Sequence, residues 1–237
     1  MLRTTARTDV GRQRSTNEDA VLAEPIDGTR RLLAVADGMG GHAAGDVASA
    51  TALETFSEAI ATALDDGATP RDALDDAVTA ANDAVRERAT DANGEMGTTL
   101  VATLVEPERA HVVNVGDSRC YHLDGDLDQV TVDQSFVQEL VEEGVIDPDE
   151  ADTHPQRNVV SQALGTEDSV DPDHYALAPT GTLLCCSDGL TEEVDDDTIA
   201  DVVAGAPDLE SAADRLVARA NENGGSDNVS VVLGEVD

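Results

Sequence analysis

Two hydrophobic periodicities divide this chain, and their order predicts its architecture. Leu53, Phe56, Ile60 and Leu64 step by three and four, the buried stripe of a long helix that Gly67 ends. A second helix follows Pro70, with Leu74, Val78, Ala81 and Val85 on one face and Asp or Arg on the other, so the two read as a packed pair. Ahead of them, after an opening segment around Ala6 to Val10, Arg31 to Ala36 is an apolar strand. From Gly97 the pattern changes. Thr98 to Val105, Ala110 to Val115 and Cys120 to Leu123 are short, rich in β-branched residues and separated by turn residues such as Pro107 and Gly116, which predicts an antiparallel meander. Ser135 to Glu143 reads as a short amphipathic helix, and the polar stretch from there to about Pro155 as an inserted surface element. Thr182 to Cys186 is a strand, Leu209 to Ala220 a helix and Asn228 to Val236 a final strand. Helices that arrive in pairs between groups of strands argue against a βαβ parallel sheet and for antiparallel sheets covered by helices. Neither an internal repeat nor a low-complexity linker interrupts the pattern.

At 237 residues the chain suits a single domain with a sizeable core. Charge changes the picture more than length does. Asp and Glu number 50 against 14 basic residues, every one of them arginine, for a formal charge of -36. Such a surface repels nucleic acid and, at low ionic strength, pushes the compact state apart. In molar salt the Debye length falls to about 3 Å, so dense carboxylates repel weakly while keeping the surface hydrated. The composition therefore predicts a cytoplasmic protein of a salt-loaded cell. Without lysine there is no Walker-A phosphate loop, no kinase ATP lysine and no Schiff base. Cys120, Cys185 and Cys186 are odd in number, two of them adjacent on an apolar run, so they predict core residues of a reduced protein rather than a disulfide framework. No apolar segment follows the first arginines and no stretch approaches a membrane span, so a soluble, unexported protein is expected.

Candidate chemistry sits where apolar runs end. Leu32-Leu33-Ala34-Val35-Ala36-Asp37-Gly38, Val112-Val113-Asn114-Val115-Gly116-Asp117 and Leu183-Leu184-Cys185-Cys186-Ser187-Asp188-Gly189 each finish in an aspartate, and Gly224-Gly225-Ser226-Asp227-Asn228-Val229 runs the other way. Taken singly, each is an ordinary turn or cap aspartate. Carboxylates carried to one place by buried strand ends are costly unless a cation or a donor compensates them. Clusters of aspartates with backbone carbonyls suit hard divalent cations, and two such ions about 3.5 to 4 Å apart can clamp a phosphoryl group. Gly38, lacking Cβ, could bring its carbonyl close to an ion. In Gly11-Arg12-Gln13-Arg14-Ser15-Thr16-Asn17-Glu18-Asp19-Ala20 an arginine precedes a carboxylate pair, and the guanidinium fork is suited to phosphate.

In this order, these segments resemble the PPM, or type 2C, metal-dependent serine/threonine protein phosphatases in their compact bacterial form. The resemblance runs nearly end to end, through Arg14 to Ala20, Asp37-Gly38-Met39-Gly40-Gly41-His42, Gly97-Thr98-Thr99-Leu100, Val115-Gly116-Asp117-Ser118-Arg119, Asn158 to Gly165, Ser187-Asp188-Gly189-Leu190 and Gly225-Ser226-Asp227-Asn228. It implies an α+β fold, an αββα sandwich of two face-to-face antiparallel sheets with helices outside and a binuclear metal site at one edge, over a single domain spanning 1–237 with a flap-like insertion at about 134–165. It implies two Mn2+ or Mg2+ ions, with Asp37 bridging both, the Gly38 carbonyl on one, and Asp188 and Asp227 on the other. Asp19, with Glu18 as a second candidate, would act through metal waters. Asp117 matches the position that recruits a weaker third ion, and Arg14 the phosphate-binding arginine. A metal-bridging hydroxide would then attack phosphorus in line, without a phosphoenzyme. His42 is open between protonating the leaving group and a structural place at a helix start.

The implied substrates are phosphoserine and phosphothreonine proteins, with a cognate Ser/Thr kinase or its targets as partners. No nucleic acid and no membrane are expected, and a monomer is. Two positions depart from the family pattern. Asp133-Gln134-Ser135 stands for Asp-His-Ser before the flap, and Gln162 for an arginine. Two rivals are a catalytically silent scaffold, which need not keep an expensive acidic cluster, and a phosphatase of small phosphoesters, which shares every metal ligand.

Overall fold

The computed structural model describes residues 2–40, 44–92, 96–151 and 153–236. Three strands come first, β1 (Arg3–Asp9), β2 (Asp19–Pro25) and β3 (Arg31–Gly40), followed by the helices α1 (Gly45–Asp65) and α2 (Pro70–Ala92). Next are β4 (Met96–Thr98), β5 (Leu100–Val105), β6 (Ala110–Val115), β7 (Arg119–Asp124) and β8 (Asp126–Gln129), then the short helices α3 (Phe136–Glu142) and α4 (Pro148–Ala151). β9 (Asp173–Leu177) and β10 (Gly181–Cys186) precede α5 (Asp188–Thr191), α6 (Asp196–Ala204), α7 (Leu209–Asn223) and β11 (Val229–Val236).

The strands form two antiparallel sheets, β1-β11-β10-β7-β8 and β2-β3-β5-β6-β9, with β4 added to β3. Their central strands read as continuous apolar runs because both faces are buried. Along β3, Leu32, Ala34 and Ala36 enter the core beneath the α1-α2 pair, whereas Leu33 and Val35 enter the layer between the sheets. β10 alternates likewise: Leu183 and Cys185 face the other sheet, and Leu184 and Cys186 face the core that Leu190, Ile199, Ala213 and Leu216 build on the far side. Helices, sheet, sheet, helices: this is the αββα sandwich, and it requires the period-two alternation to be apolar on both phases.

Local signals fix the helix ends. Thr69 and Asp72 form a reciprocal cap around Pro70, the Asp72 N–H donating to Thr69 Oγ1 at 3.2 Å and that hydroxyl to Asp72 Oδ2 at 2.7 Å. Gly67, at φ +88°, closes α1, with the Ala68 N–H reaching back to the Ala63 carbonyl at 2.9 Å.

The structure differs from the sequence expectation in two ways. The run 98–105 is broken at Thr99, giving β4 and β5, and the meander does not stay in one sheet. β5 and β6 pair in one, but β7 pairs with β10 in the other, so the 116–118 turn carries the chain across the sandwich. Gly116, at φ +100°, permits that crossing. In addition, β2, β8, β9 and α6 were not expected from the apolar pattern. β2 is half-buried from Asp19 to Glu24, and β8 and β9 are edge strands with mixed polarity. Among the described residues, no helix is long and apolar enough to cross a membrane.

Candidate metal centre

Antiparallel register places the first two carboxylates. Asp19, at the start of β2, lies opposite Asp37 near the end of β3. The main chain at Asp37 is pinned on both sides: its N–H donates to Thr99 Oγ1 at 3.0 Å, and its carbonyl accepts from Thr98 Oγ1 and the Thr99 N–H, both at 2.9 Å. Thr99 Oγ1 is in turn 2.8 Å from Ser118 Oγ, beside Asp117. The second sheet supplies Asp188, the first residue of α5 after β10, and Asp227, just before β11. Ser187 joins the two sheets here. Its hydroxyl donates to Asp19 Oδ2 at 2.8 Å and accepts from the Ser230 N–H at 3.1 Å.

A single side chain holds the remaining loop. Asn228 accepts from the Glu18 N–H at 2.8 Å and donates to the carbonyls of Val10 and Thr16, both at 3.0 Å. The Arg12 N–H adds a bond to the Gly225 carbonyl at 2.8 Å. The loop so fixed carries Arg14 over the cluster, where Nη2 meets Asp227 Oδ2 at 2.6 Å while half the arginine side chain stays exposed. A cavity of about 900 Å3 opens from Asp117 and Asp188 and runs under α3 and α4, past Arg157 and Glu192.

Asp19, Asp37, Asp117, Asp188 and Asp227 are each half-buried, and Asp117 and Asp188 line the cavity. Burial, then the charges of Asp19, Asp188, Asp117 and Asp227, push the Asp37 carboxyl well above the ordinary range. Asp188 is raised by burial and by Asp117, Glu192 and Asp227. Burial raises Asp19 to about 6 against the opposing hydrogen bonds of Ser230 and Ser187. Asp117 is raised to about 6 by burial and by Asp133. So many carboxylates cannot all ionise side by side without a compensating cation. Two oxygens sharpen the point: Asp19 Oδ1 and Asp188 Oδ1 are buried and have no hydrogen-bond partner. An all-oxygen donor set with orphaned lone pairs fits a hard divalent ion. The ring is nonetheless open, and among the described residues no three acidic, histidine or cysteine side chains are closed around one point.

The structure thus brings Arg14, Asp19, Asp37, Asp188 and Asp227 to one edge, with Asp117 at its margin. His42 lies outside the described residues. Gly38 is in place, but for a further reason than an accessible carbonyl: a Cβ there would sit 2.1 Å from the Gly45 carbonyl oxygen and 2.4 Å from that of Glu18. Sequence reasoning missed Gly45, which makes this contact from the other side, and the anchoring roles of Asn228, Ser187, Thr99 and Ser118. Of these, only the Asp-Asn pair at 227–228 carried a local signal.

An αββα sandwich whose two sheets deliver carboxylates into one edge cleft is the PPM architecture. The chain belongs to the protein phosphatase 2C family, whose sequence profile matches residues 10–233. It is 45% identical to the serine/threonine protein phosphatase PstP of Mycobacterium tuberculosis over its whole length, while spanning just under half of that relative, 45%. It is 40% identical to the serine/threonine phosphatase Stp of Listeria welshimeri, covering 97% of this chain and 94% of Stp. Its fold is similar to a crystal structure of the catalytic domain of PstP in complex with two manganese ions, with a TM-score of 0.84, 41% identity, and 100% and 99% of the two chains covered.

Proposed function

We propose that this protein is a metal-dependent phosphoprotein phosphatase that hydrolyses phosphoserine and phosphothreonine by direct attack of water on phosphorus, in one catalytic domain with a flap at about 134–165. The observation that carries the reading is the mutual charge repulsion of Asp37, Asp188 and Asp227 at one edge, with the orphaned Asp188 oxygen and, bonded to Asp227, an arginine suited to phosphate. Asp37, Asp188, Asp227 and the Gly38 carbonyl would hold two Mn2+ or Mg2+ ions; Asp19 would act through waters and Asp117 would hold a weaker third ion. When bound, these ions supply Lewis acidity that acidifies the attacking water and offsets charge on the phosphoryl oxygens.

The chain's own residues do the rest. Arg14 is poised to exchange its bond to Asp227 for two parallel bonds to the substrate phosphate. Asn228 and Ser187 keep the loop and both sheets in register so that the carboxylates stay aimed at the cleft. No cysteine competes as a nucleophile, since Cys120, Cys185 and Cys186 are fully buried. Phosphate release from a phosphothreonine peptide in molar KCl tests the reading: release that needs Mn2+ and stops on chelation is expected, and equal release without the cation would overturn it.

The charge of -36 supports a cytoplasmic setting at high salt. The substrates would be the phosphoproteins of a Ser/Thr kinase, and the enzyme would work as a monomer. The unfolding midpoint should rise steadily from dilute buffer to molar KCl; a flat response would remove the adaptation claim.

A further inference from the structure

Both positions that depart from the family pattern, Gln134 and Gln162, turn out to hold the same piece of chain. Gln134 engages the 116–118 crossing turn through main chain and side chain at once. Its N–H donates to the Gly116 carbonyl at 3.0 Å, and its Oε1 accepts from the Gly116 N–H at 2.9 Å. Its Nε2 donates onward to Asp173 Oδ2 at 2.8 Å and to the Asp171 carbonyl at 3.3 Å, and its own carbonyl accepts from the Ser161 N–H at 2.8 Å. Gln162 closes a two-bond ring on Asp171, accepting from its N–H at 2.7 Å and donating to its carbonyl at 3.2 Å. The outgoing and returning ends of the flap are therefore tied to one residue ahead of β9, and the outgoing end also to the residue before Asp117.

We propose that Gln134 and Gln162 are positioning residues that form an amide latch: the latch locks both stems of the flap to Asp171 and holds the Gly116-Asp117 turn so that Asp117 faces the cleft. The inference rests on the phosphatase reading for its functional meaning, although the latch itself is a matter of geometry. Gly116 has φ +100°, and the N–H that Gln134 captures would otherwise be unpaired beside a buried turn. A glutamine suits this place because one planar amide offers an acceptor to Gly116 and donors to the 171–173 segment together. Alanine satisfies neither, and glutamate keeps the acceptor but faces Asp173 with a like charge. Residues that orient a metal ligand from outside typically change metal affinity about 10- to 100-fold when removed. The two side-chain hydrogen bonds of Gln162 both go to Asp171, so its loss should loosen the returning stem while sparing Asp117.

The test compares the unmodified protein with Gln134→Ala, Gln134→Glu and Gln162→Ala, by amide hydrogen exchange at Gly116 and Asp171, whose N–H groups donate to Gln134 and Gln162, and by calorimetric Mn2+ titration. Gln134→Ala should speed exchange at Gly116, whose N–H loses its side-chain acceptor, and weaken the weakest Mn2+ binding step about tenfold. Gln134→Glu should retain protection at Gly116, because its carboxylate still accepts from that N–H. Gln162→Ala should leave the Mn2+ steps unchanged and speed exchange at Asp171, whose N–H loses its acceptor. Unaltered exchange at Gly116 in Gln134→Ala would overturn the latch, and faster exchange with unaltered Mn2+ binding would overturn its role toward Asp117. Neither result depends on turnover, so failure of the phosphatase assay in the unmodified protein would be a separate outcome.

Discussion

Arg14 shows how a side chain's resting partner can reveal its task. It sits 2.6 Å from Asp227 and is half exposed, so the bond is worth little to stability. What the arrangement provides is a guanidinium held at the cleft rim by a loop that Asn228 has fixed at three points. Arg14→Ala should therefore raise KM for a phosphothreonine peptide about tenfold, or about 1.4 kcal/mol, with a smaller change in kcat and no shift in the unfolding midpoint. An unchanged KM would remove the arginine from substrate binding. Residues of this kind were legible because their chemistry is local to the motif. Asn228 stands in a legible Asp-Asn pair, but its anchoring role was not readable, since its partners at 10, 16 and 18 lie at the far end of the chain.

At the scale of elements, the apolar runs were readable because β3, β5, β6, β10 and β11 bury side chains on both faces. β2 carries Asp19, yet it is half-buried from Asp19 to Glu24 and shows no run. α6 begins Asp-Asp-Thr and is recognisable only once Asp195 is seen capping it, its carboxylate accepting from the Thr198 N–H at 2.8 Å. The switch of β7 to the other sheet was equally invisible, because a meander and a crossing use the same turn residues. The joint between β3 and α1 can be tested on its own. Gly45→Ala should gain helix propensity of up to about 1 kcal/mol. Against this, its Cβ would lie 2.7 Å from the Gly38 carbonyl oxygen, a backbone atom that cannot swing aside. Overpacking of about 1 to 3 kcal/mol should win, so urea unfolding is expected to show net destabilisation together with reduced Mn2+ affinity. A variant more stable than the parent would show that the joint yields.

Across the whole molecule, the acidic edge opposes folding and the three buried apolar layers support it. With divalent ions chelated, Asp19 and Asp117 titrate at about 6 in the folded state, above the ordinary carboxylate value. The folded state then holds protons that the unfolded state has released. The contribution of these groups is full below about pH 4 and is lost as pH rises through about 6. The unfolding midpoint of the chelated protein should accordingly fall between about pH 4 and pH 7. Saturating Mn2+ should flatten that slope by standing in for the protons, and a chelated protein with no slope in this window would contradict the picture.

The central claim is that carboxylates from both sheets act together on one pair of cations. Asp188→Asn tests it most directly, since the change keeps the size of the side chain and removes the charge at the orphaned oxygen. Phosphate release from a phosphothreonine peptide in molar KCl at saturating Mn2+ should drop at least about 100-fold in the variant. Its unfolding midpoint after chelation should match or exceed that of the parent, because one repelling charge is gone. Full activity in Asp188→Asn would contradict the account.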